Sequence, residues 1–119
     1  MDTTKKILIV DDSAFMRKVL RDIFESVGFT LFVEATNGKE AIERYQSDKP
    51  DFMFLDIIMP DVNGMDVLRA IGRDAKVVVV SAVGQKEMID EARSLGALDY
   101  IVKPFDREQV LEKAKKYMK

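Results

Sequence analysis

Short blocks of apolar residues alternate along the chain with stretches in which apolar positions are spaced by three and four. The continuous blocks are typical of strands covered on both faces, and they fall at 7–10, 31–35, 52–55, 77–80 and 100–102. The spaced patterns predict a helix after each strand, with inward positions within 16–27, 41–45, 65–71, 88–95 and 110–118. This alternation predicts an α/β fold: one doubly wound, five-stranded parallel sheet with helices on both faces.

Polar side chains follow the predicted strands beyond their carboxyl ends, where ligands collect in this class of fold. Four strands deliver three carboxylates, one hydroxyl and one ammonium to that edge: Asp11 and Asp12 after the first, Asp56 after the third, Ser81 after the fourth and Lys103 after the fifth. The second strand is followed by Thr36 and Asn37. Because the ends of parallel strands share one edge of the sheet, we expect the charged and hydroxyl side chains to form a single site.

Each of these residues also has an ordinary structural explanation. Asp12 or Ser13 is suited to cap the first helix. Asp56 and Ser81 are residue types that are common in loops and turns, and a lysine such as Lys103 is usually solvated. Their expected position at one edge of the sheet favours a functional site over these separate explanations.

The charge balance within this group indicates a metal ion. Three carboxylates repel one another and resist burial, and one lysine leaves their negative charge in excess. Mg²⁺ would neutralise it best, because this ion takes few carboxylates and keeps water ligands that a phosphate can replace. Lys103 and Ser81 would then contact an anion beside the metal, and the remaining carboxylate would act as a nucleophile. This combination predicts phosphoryl transfer.

Composition narrows the functional classes further. The length of 119 residues is that of one domain. There is no cysteine and no histidine, which excludes disulfides, thiolate or histidine metal sites, a Ser-His-Asp triad and a phosphohistidine carrier. The formal charge of −2 provides no general attraction to nucleic acid or anionic lipid, and no apolar run is long enough for a membrane span. We therefore expect a cytoplasmic protein that binds neither nucleic acid nor membrane.

Four sequence segments together resemble the response-regulator receiver domain, specifically the stand-alone chemotaxis regulators of the CheY type. They are ILIVDDS at the first strand, FLDIIMPDVNG around the third, VVVVSA at the fourth and DYIVKPF at the fifth. Any one of these segments is weak evidence, whereas their combination is specific and extends over nearly the whole chain. The resemblance implies the flavodoxin-like strand order 2-1-3-4-5, which the residue pattern alone does not provide.

The resemblance also implies how a metal and a phosphoryl group would be bound. Asp56 matches the phosphorylated aspartate. Asp11 and Asp12 match the acid pair that binds Mg²⁺, one of them directly and the other mainly through water. The backbone carbonyl of Ile58 falls at the position of a further protein ligand to the metal.

The remaining matched residues surround the phosphoryl group or respond to it. Ser81 matches the hydroxyl that contacts this group, and Ala82 matches a small residue whose backbone N–H also reaches it. Lys103 matches the phosphate-contacting lysine, and the bond between Lys103 and Pro104 matches a peptide bond that is usually cis. Tyr100 matches the aromatic switch residue, so Ser81 and Tyr100 are the expected switch pair.

By this resemblance the chain is a phosphoryl-accepting response regulator of a two-component system, with chemotaxis as the expected pathway. A chemotaxis-type histidine kinase would donate the phosphoryl group, and the regulator would catalyse its own phosphorylation and slow dephosphorylation. Residues 1–119 would form a single receiver domain without an output domain. The protein would then act as a monomer by binding a target such as a flagellar motor switch. A phosphorelay intermediate is the alternative within the family.

Two other classes of protein are rivals to this interpretation. A flavodoxin-like nucleotide or flavin binder predicts a glycine-rich phosphate loop after the first strand, where this chain has DDSAF. A Mg²⁺-dependent phosphatase that forms an aspartyl phosphate would need a second acid close after its nucleophile, together with a substrate cap. The chain is too short for such a cap.

Two positions depart from the better-known chemotaxis regulators. Ile58 and Val83 are apolar, whereas relatives with rapid turnover often carry polar side chains there. The site motifs are otherwise intact. The departure therefore concerns the rate of dephosphorylation and not the ability to accept a phosphoryl group.

Overall fold

The computed structural model of the protein describes residues 1–118. Within them, five strands alternate with five helices: β1 (Lys6–Val10), α1 (Ala14–Glu25), β2 (Leu31–Ala35), α2 (Gly38–Asp48), β3 (Phe52–Leu55), α3 (Gly64–Ile71), β4 (Val77–Ser81), α4 (Lys86–Ser94), β5 (Asp99–Val102) and α5 (Arg107–Tyr117). The strands form one parallel sheet in the order β2-β1-β3-β4-β5. The predicted α/β class and the strand order implied by the resemblance are both confirmed.

The sheet separates two hydrophobic cores, because successive side chains of a strand point to opposite faces. On one face, Leu8 and Val10 of β1 belong to a core that includes residues of α2, α3 and α4. On the other face, Ile7 and Ile9 belong to a core that includes residues of α1 and α5. These four side chains are at most 2% exposed. Because both faces of β1 are buried, its residues are apolar at each of these positions and do not alternate between apolar and polar.

The helices begin and end within a few residues of the predicted positions, and side-chain caps fix the start of α1, α2, α3 and α5. Ser13 caps α1 by accepting a hydrogen bond from the backbone N–H of Met16 at 3.2 Å, so the helix begins before the first residue of its apolar stripe. Asn37 and Asn63 cap α2 and α3 in the same way. The longest helix has 12 residues, and none among the described residues is long and apolar enough to cross a membrane.

Candidate functional site

The carboxyl ends of two central strands bring Asp11, Asp12 and Asp56 together. Strands β1 and β3 are neighbours, with Val10 opposite Leu55, so the residues that follow them emerge side by side. The backbone N–H of Asp56 donates to the carbonyl of Val10 at 3.0 Å, which extends the strand pairing into the site. Carboxylate oxygens of the three acids all lie within 4.8 Å of one another. Asp11 and Asp56 are buried, whereas Asp12 is exposed and gives the cluster a side that faces solvent.

Lys103 reaches this cluster from the end of β5 and pairs with two of the acids. Its ammonium donates to Oδ2 of Asp11 at 2.7 Å and to Oδ2 of Asp56 at 3.4 Å. The backbone N–H of Lys103 donates to the carbonyl of Ser81 at 2.8 Å, which aligns the ends of β5 and β4. Burial lowers the pKa of Lys103, but the hydrogen bond to Asp11 and the charges of Asp56 and Asp11 outweigh it and raise that pKa overall. The lysine is therefore charged in the site.

Asp56 lies in an environment that opposes its negative charge. Its side chain is 8% exposed. Burial raises the pKa of Asp56 above the ordinary value of 3.8, and the charge of Asp11 adds to that increase. Lys103 and the backbone N–H of Ile58, which donates to Oδ1 of Asp56 at 3.3 Å, offset only part of it. A cation or an electrophile next to Asp56 would relieve this unfavourable charge.

The chemistry of the donors fits a hard divalent cation. Asp11, Asp12 and Asp56 offer oxygen atoms, which are the ligands that Mg²⁺ prefers. Three carboxylates with one ammonium also carry excess negative charge, which a cation would balance. The exposed position of Asp12 leaves access for the water ligands that Mg²⁺ retains.

Ser81 and Tyr100 are connected through the backbone of Val83. The Ser81 hydroxyl, which is 0% exposed, accepts a hydrogen bond from the N–H of Val83 at 3.2 Å. The Tyr100 hydroxyl donates to the carbonyl oxygen of the same residue. Tyr100 is buried on β5, while Ala82 is exposed in the loop after β4. One loop residue therefore joins the end of β4 to the aromatic side chain on β5.

Three other residues near the strand ends have structural contacts that account for them. Ser13 caps α1, and Asn37 caps α2 by accepting a hydrogen bond from the N–H of Glu40 at 2.9 Å. Thr36 donates its N–H to the Glu40 carboxylate at 2.7 Å. The residues after β2 therefore belong to the start of α2 and not to the acidic cluster. The Lys103–Pro104 peptide bond is cis, as the resemblance implied.

Two residues that sequence reasoning did not assign to the site hold its loops in place. Nη1 of Arg17 donates to the backbone carbonyl of Asp11 at 2.7 Å. The N–H of Gly64 donates to the carbonyl of Ile57 at 2.9 Å, and a Cβ on Gly64 would lie 2.3 Å from the backbone oxygen of Asp56. Only glycine permits this approach of α3 to the loop. Gly64 ends the segment FLDIIMPDVNG that carries the resemblance, whereas no pattern distinguished Arg17.

Comparison with known proteins identifies the family that has this arrangement. The family described as "Response regulator receiver domain" matches residues 7–115. The chemotaxis protein CheY of Thermotoga maritima is 48% identical over 118 residues, which cover 97% of this chain and 98% of that protein. The sporulation initiation phosphotransferase F of Bacillus subtilis is 35% identical over 117 residues, which cover 96% of this chain and 94% of that protein. The chain therefore belongs to the response regulator receiver domain family, and it is a response regulator of two-component signal transduction.

A solved structure supports the same conclusion at the level of the fold. It is the CheX–CheY–BeF₃–Mg²⁺ complex from Borrelia burgdorferi, to which this chain aligns with a TM-score of 0.91 and 35% identity. The match covers 97% of this chain and 90% of that one. Receiver domains bind Mg²⁺ at their phosphorylation site, and the acidic cluster described above is suited to that ion.

Proposed function

We propose that this protein is a chemotaxis response regulator in which Asp56 accepts a phosphoryl group and thereby changes the binding of a partner protein. The observation that carries the proposal is the position of Asp56, which is buried 3.4 Å from the ammonium of Lys103 within a cluster of three carboxylates. The chemotaxis assignment is supported by 48% identity to a protein named for that pathway.

The transfer requires the Asp56 carboxylate in its ionised form. One of its oxygens attacks the phosphorus of a phosphohistidine on the donor, and a P–O bond forms as the P–N bond breaks. The electrons of the broken bond leave with the imidazole nitrogen, which takes a proton from solvent. Lys103 is charged and can donate a hydrogen bond to an oxygen of the transferred group. The Ser81 hydroxyl and the backbone N–H of Ala82 are the other expected donors.

The residues that would hold the metal are Asp11, Asp12, Asp56 and, through its backbone carbonyl, Ile58. When bound, Mg²⁺ supplies positive charge that balances the carboxylates and the phosphoryl oxygens. Asp11 already uses both of its oxygens, one for the N–H of Ser13 at 2.9 Å and one for Lys103 at 2.7 Å. Asp12 is exposed and accessible. We therefore assign the direct contact to Asp12 and the mainly water-mediated contact to Asp11.

The expected phosphodonor is a chemotaxis-type histidine kinase, in line with the identity to a chemotaxis protein. This chain has no histidine of its own, so the phosphohistidine must lie on another protein. Residues 1–119 would act in the cytoplasm as a single, monomeric receiver domain. The target would be another protein, such as a flagellar motor switch. Its expected contact surface is formed by α4, β5 and α5, since Tyr100 lies on β5 and is linked through Val83 to Ser81 at the site.

A phosphorelay intermediate is the second candidate. It is favoured by 35% identity to a protein named as a phosphotransferase. The chemistry at Asp56 is the same in both cases, but a relay protein passes its phosphoryl group to a histidine of another protein. Incubation of the phosphorylated regulator with histidine phosphotransfer proteins of its host distinguishes the two, because only a relay protein would transfer the label to them.

Intact-protein mass spectrometry with acetyl phosphate and Mg²⁺ tests the assignment of the phosphoacceptor. The wild type should gain one phosphoryl group, and Asp56→Asn should gain none. Asp61→Asn is the control, because Asp61 is an exposed acid in the same loop and its φ of 63° suits asparagine. This control should be phosphorylated like the wild type. An undiminished mass shift in Asp56→Asn would refute the proposal.

A further inference from the structure

We propose that Arg17 is a positioning residue for the metal site. Its guanidinium holds the peptide group between Asp11 and Asp12 and so directs the Asp12 carboxylate toward a bound cation. This inference rests on the proposed function, because it concerns the Mg²⁺ that Asp12 is expected to bind.

Arg17 makes two directional contacts with a single planar group. Nη1 donates to the backbone carbonyl of Asp11 at 2.7 Å, and Nε donates to Oε1 of Glu34 on β2 at 2.8 Å. The Arg17 side chain is only 14% exposed. Glu34 is held in turn by Arg21, whose Nη1 lies 3.3 Å from Oε2. A rigid guanidinium that is bonded on two sides and mostly buried has little freedom to move.

The contact with Asp11 restrains the backbone that leads into Asp12. A peptide group is planar, so a fixed carbonyl oxygen on Asp11 also fixes the plane that ends at the Cα of Asp12. Asp11 and Asp12 differ in the other contacts that restrain them. Asp11 is buried, and its N–H donates to the carbonyl of Ala35 at 3.2 Å. Asp12 is exposed, so the direction of its side chain depends on the backbone rather than on packing.

The charge and the geometry of Arg17 have opposite effects on cation binding. A positive charge near three carboxylates repels a metal ion, so its removal alone would tighten the binding of Mg²⁺. Loss of the restraint on Asp12 would weaken that binding, because a ligand must be held in place to coordinate well. The ion pair with Glu34 offsets much of the charge of Arg17, so we expect the positioning effect to dominate. The sign of the measured change therefore separates the two roles.

Isothermal titration calorimetry with MgCl₂ alone measures this sign on the unphosphorylated protein. Arg17→Met keeps an unbranched stem without the charge, and Arg17→Lys keeps the charge without the planar fork. In both variants the Kd for Mg²⁺ should rise by about tenfold, at the lower end of the effect of residues that orient metal ligands. Arg21→Met is the matched control on the same helix, because Arg21 also pairs with Glu34. Its Kd should stay close to that of the wild type, because Arg17 keeps its own bonds to Asp11 and Glu34 in this variant.

Unchanged or tighter binding of Mg²⁺ by Arg17→Met would overturn the inference. An equal loss in Arg21→Met would overturn it as well, because the effect would then come from any disturbance of α1. Circular dichroism without metal shows whether each variant is folded. If Arg17→Met does not fold, the Kd of Arg17→Lys for Mg²⁺ decides the question in the same way. A wild-type protein that does not bind Mg²⁺ would remove the proposed metal site, and this inference with it.

Discussion

The ammonium of Lys103 is hydrogen-bonded to the carboxylate of Asp11 at 2.7 Å. The proposed nucleophile, Asp56, accepts a longer contact of 3.4 Å from the same group. An ammonium has three donors, so Lys103 can keep its bond to Asp11 while it donates to a new phosphoryl group. Phosphorylation of Asp56 would then redistribute the hydrogen bonds of a lysine that is already in place.

The first prediction concerns the metal. Mg²⁺ should stabilise the wild-type fold by RT ln(1 + [Mg²⁺]/Kd), which is about 2.7 kcal/mol at a hundredfold excess over Kd. Asp12→Asn should weaken this response because it removes the proposed direct ligand. Without metal, it should melt no lower than the wild type, since it removes repulsion among three carboxylates within 4.8 Å. Thermal melts with and without MgCl₂ measure both effects.

Asp61→Asn again serves as the control and should retain the full response to Mg²⁺. Asp11→Asn should also weaken the response, although it additionally loses part of the pairing with Lys103. If both Asp11→Asn and Asp12→Asn kept the wild-type response, the cation would have to bind elsewhere.

The second prediction concerns stability and pH. Asp99 is buried at the start of β5, 2.9 Å from the ammonium of Lys113 and 3.1 Å from Arg93. Burial alone would raise the pKa of Asp99, but hydrogen bonds from Lys113, the N–H of Tyr100 and the hydroxyl of Tyr117 lower it below 3.8. Between this lowered pKa and the ordinary value of 3.8, the unfolded chain therefore binds more protons than the folded chain. The stabilisation from Asp99 is present above pH 3.8 and is lost as the pH falls through the lowered pKa.

Urea unfolding at a series of pH values measures this contribution. At pH 7, Asp99→Asn should reduce the free energy of unfolding by about 1.5–3 kcal/mol, the range for hydrogen bonds to charged groups. The difference from the wild type should shrink in acid. Asp90→Asn is the control, because Asp90 pairs with Lys86 on the surface of α4 and such pairs contribute about 0–1 kcal/mol. A variant Asp99→Asn as stable as the wild type at pH 7 would refute the prediction.

The third prediction concerns the lifetime of the aspartyl phosphate. Hydrolysis needs a water molecule aligned behind phosphorus, and the apolar side chains of Ile58 and Val83 offer that water no hydrogen bond. Ile58 lies two residues after the proposed phosphoacceptor Asp56 and is 59% exposed. Its replacement by a polar residue should therefore be tolerated. The double variant Ile58→Asn, Val83→Gln should lose its phosphoryl group about five times faster, as expected if one new hydrogen bond stabilises the transition state by ~1 kcal/mol.

Decay of phosphoprotein after removal of the phosphodonor, followed by mass spectrometry, gives this rate. Leu31→Asn is the control, because Leu31 is another exposed apolar residue but lies on β2 at the opposite end of the strands. Its decay should match that of the wild type. An unchanged or longer lifetime in the double variant would contradict the explanation.

The fourth prediction concerns the path from the site to the proposed partner surface. The Ser81 hydroxyl is bonded to the N–H of Val83, and the Tyr100 hydroxyl is bonded to its carbonyl. If the Ser81 hydroxyl turns to a phosphoryl group on Asp56, the loop loses one of these two restraints. One hydrogen bond to a charged group contributes about 1.5–3 kcal/mol, which shifts a two-state equilibrium by about ten- to a hundredfold.

Ser81→Ala and Tyr100→Phe should therefore remain phosphorylatable yet transmit less of the change. NMR spectra recorded before and after phosphorylation should show smaller amide shifts in α4 and β5 for both variants than for the wild type. Tyr45→Phe on α2 is the control for loss of a tyrosine hydroxyl and should behave like the wild type. Full-sized shifts in both test variants would mean that the signal travels by another route.

Local periodicity was enough to predict the strands and helices. Burial on one or two faces of an element makes apolar residues recur at a characteristic spacing, and this spacing can be read from a single sequence. The alternation also predicted that Asp11, Asp12, Asp56, Ser81 and Lys103 would lie at one edge of the sheet, since parallel strands end there. The three acids cluster with Lys103, whereas the Ser81 hydroxyl is bonded to the N–H of Val83. Their chemical roles stay predictions. Strand order was known only by resemblance, because a periodic pattern does not say which strands are neighbours.

The tertiary structure alone decided which of these groups touch. Lys103 is hydrogen-bonded more closely to Asp11 than to Asp56, although β3, which precedes Asp56, lies nearer to β5 in the sheet than β1 does. Arg17 reaches both the Asp11 carbonyl and Glu34 because α1 packs against β1, next to the edge strand β2. No local pattern relates Arg17 to Glu34. Sequence periodicity reports which side of an element is buried. Contacts between elements depend on their relative placement, which is settled only when the whole core packs.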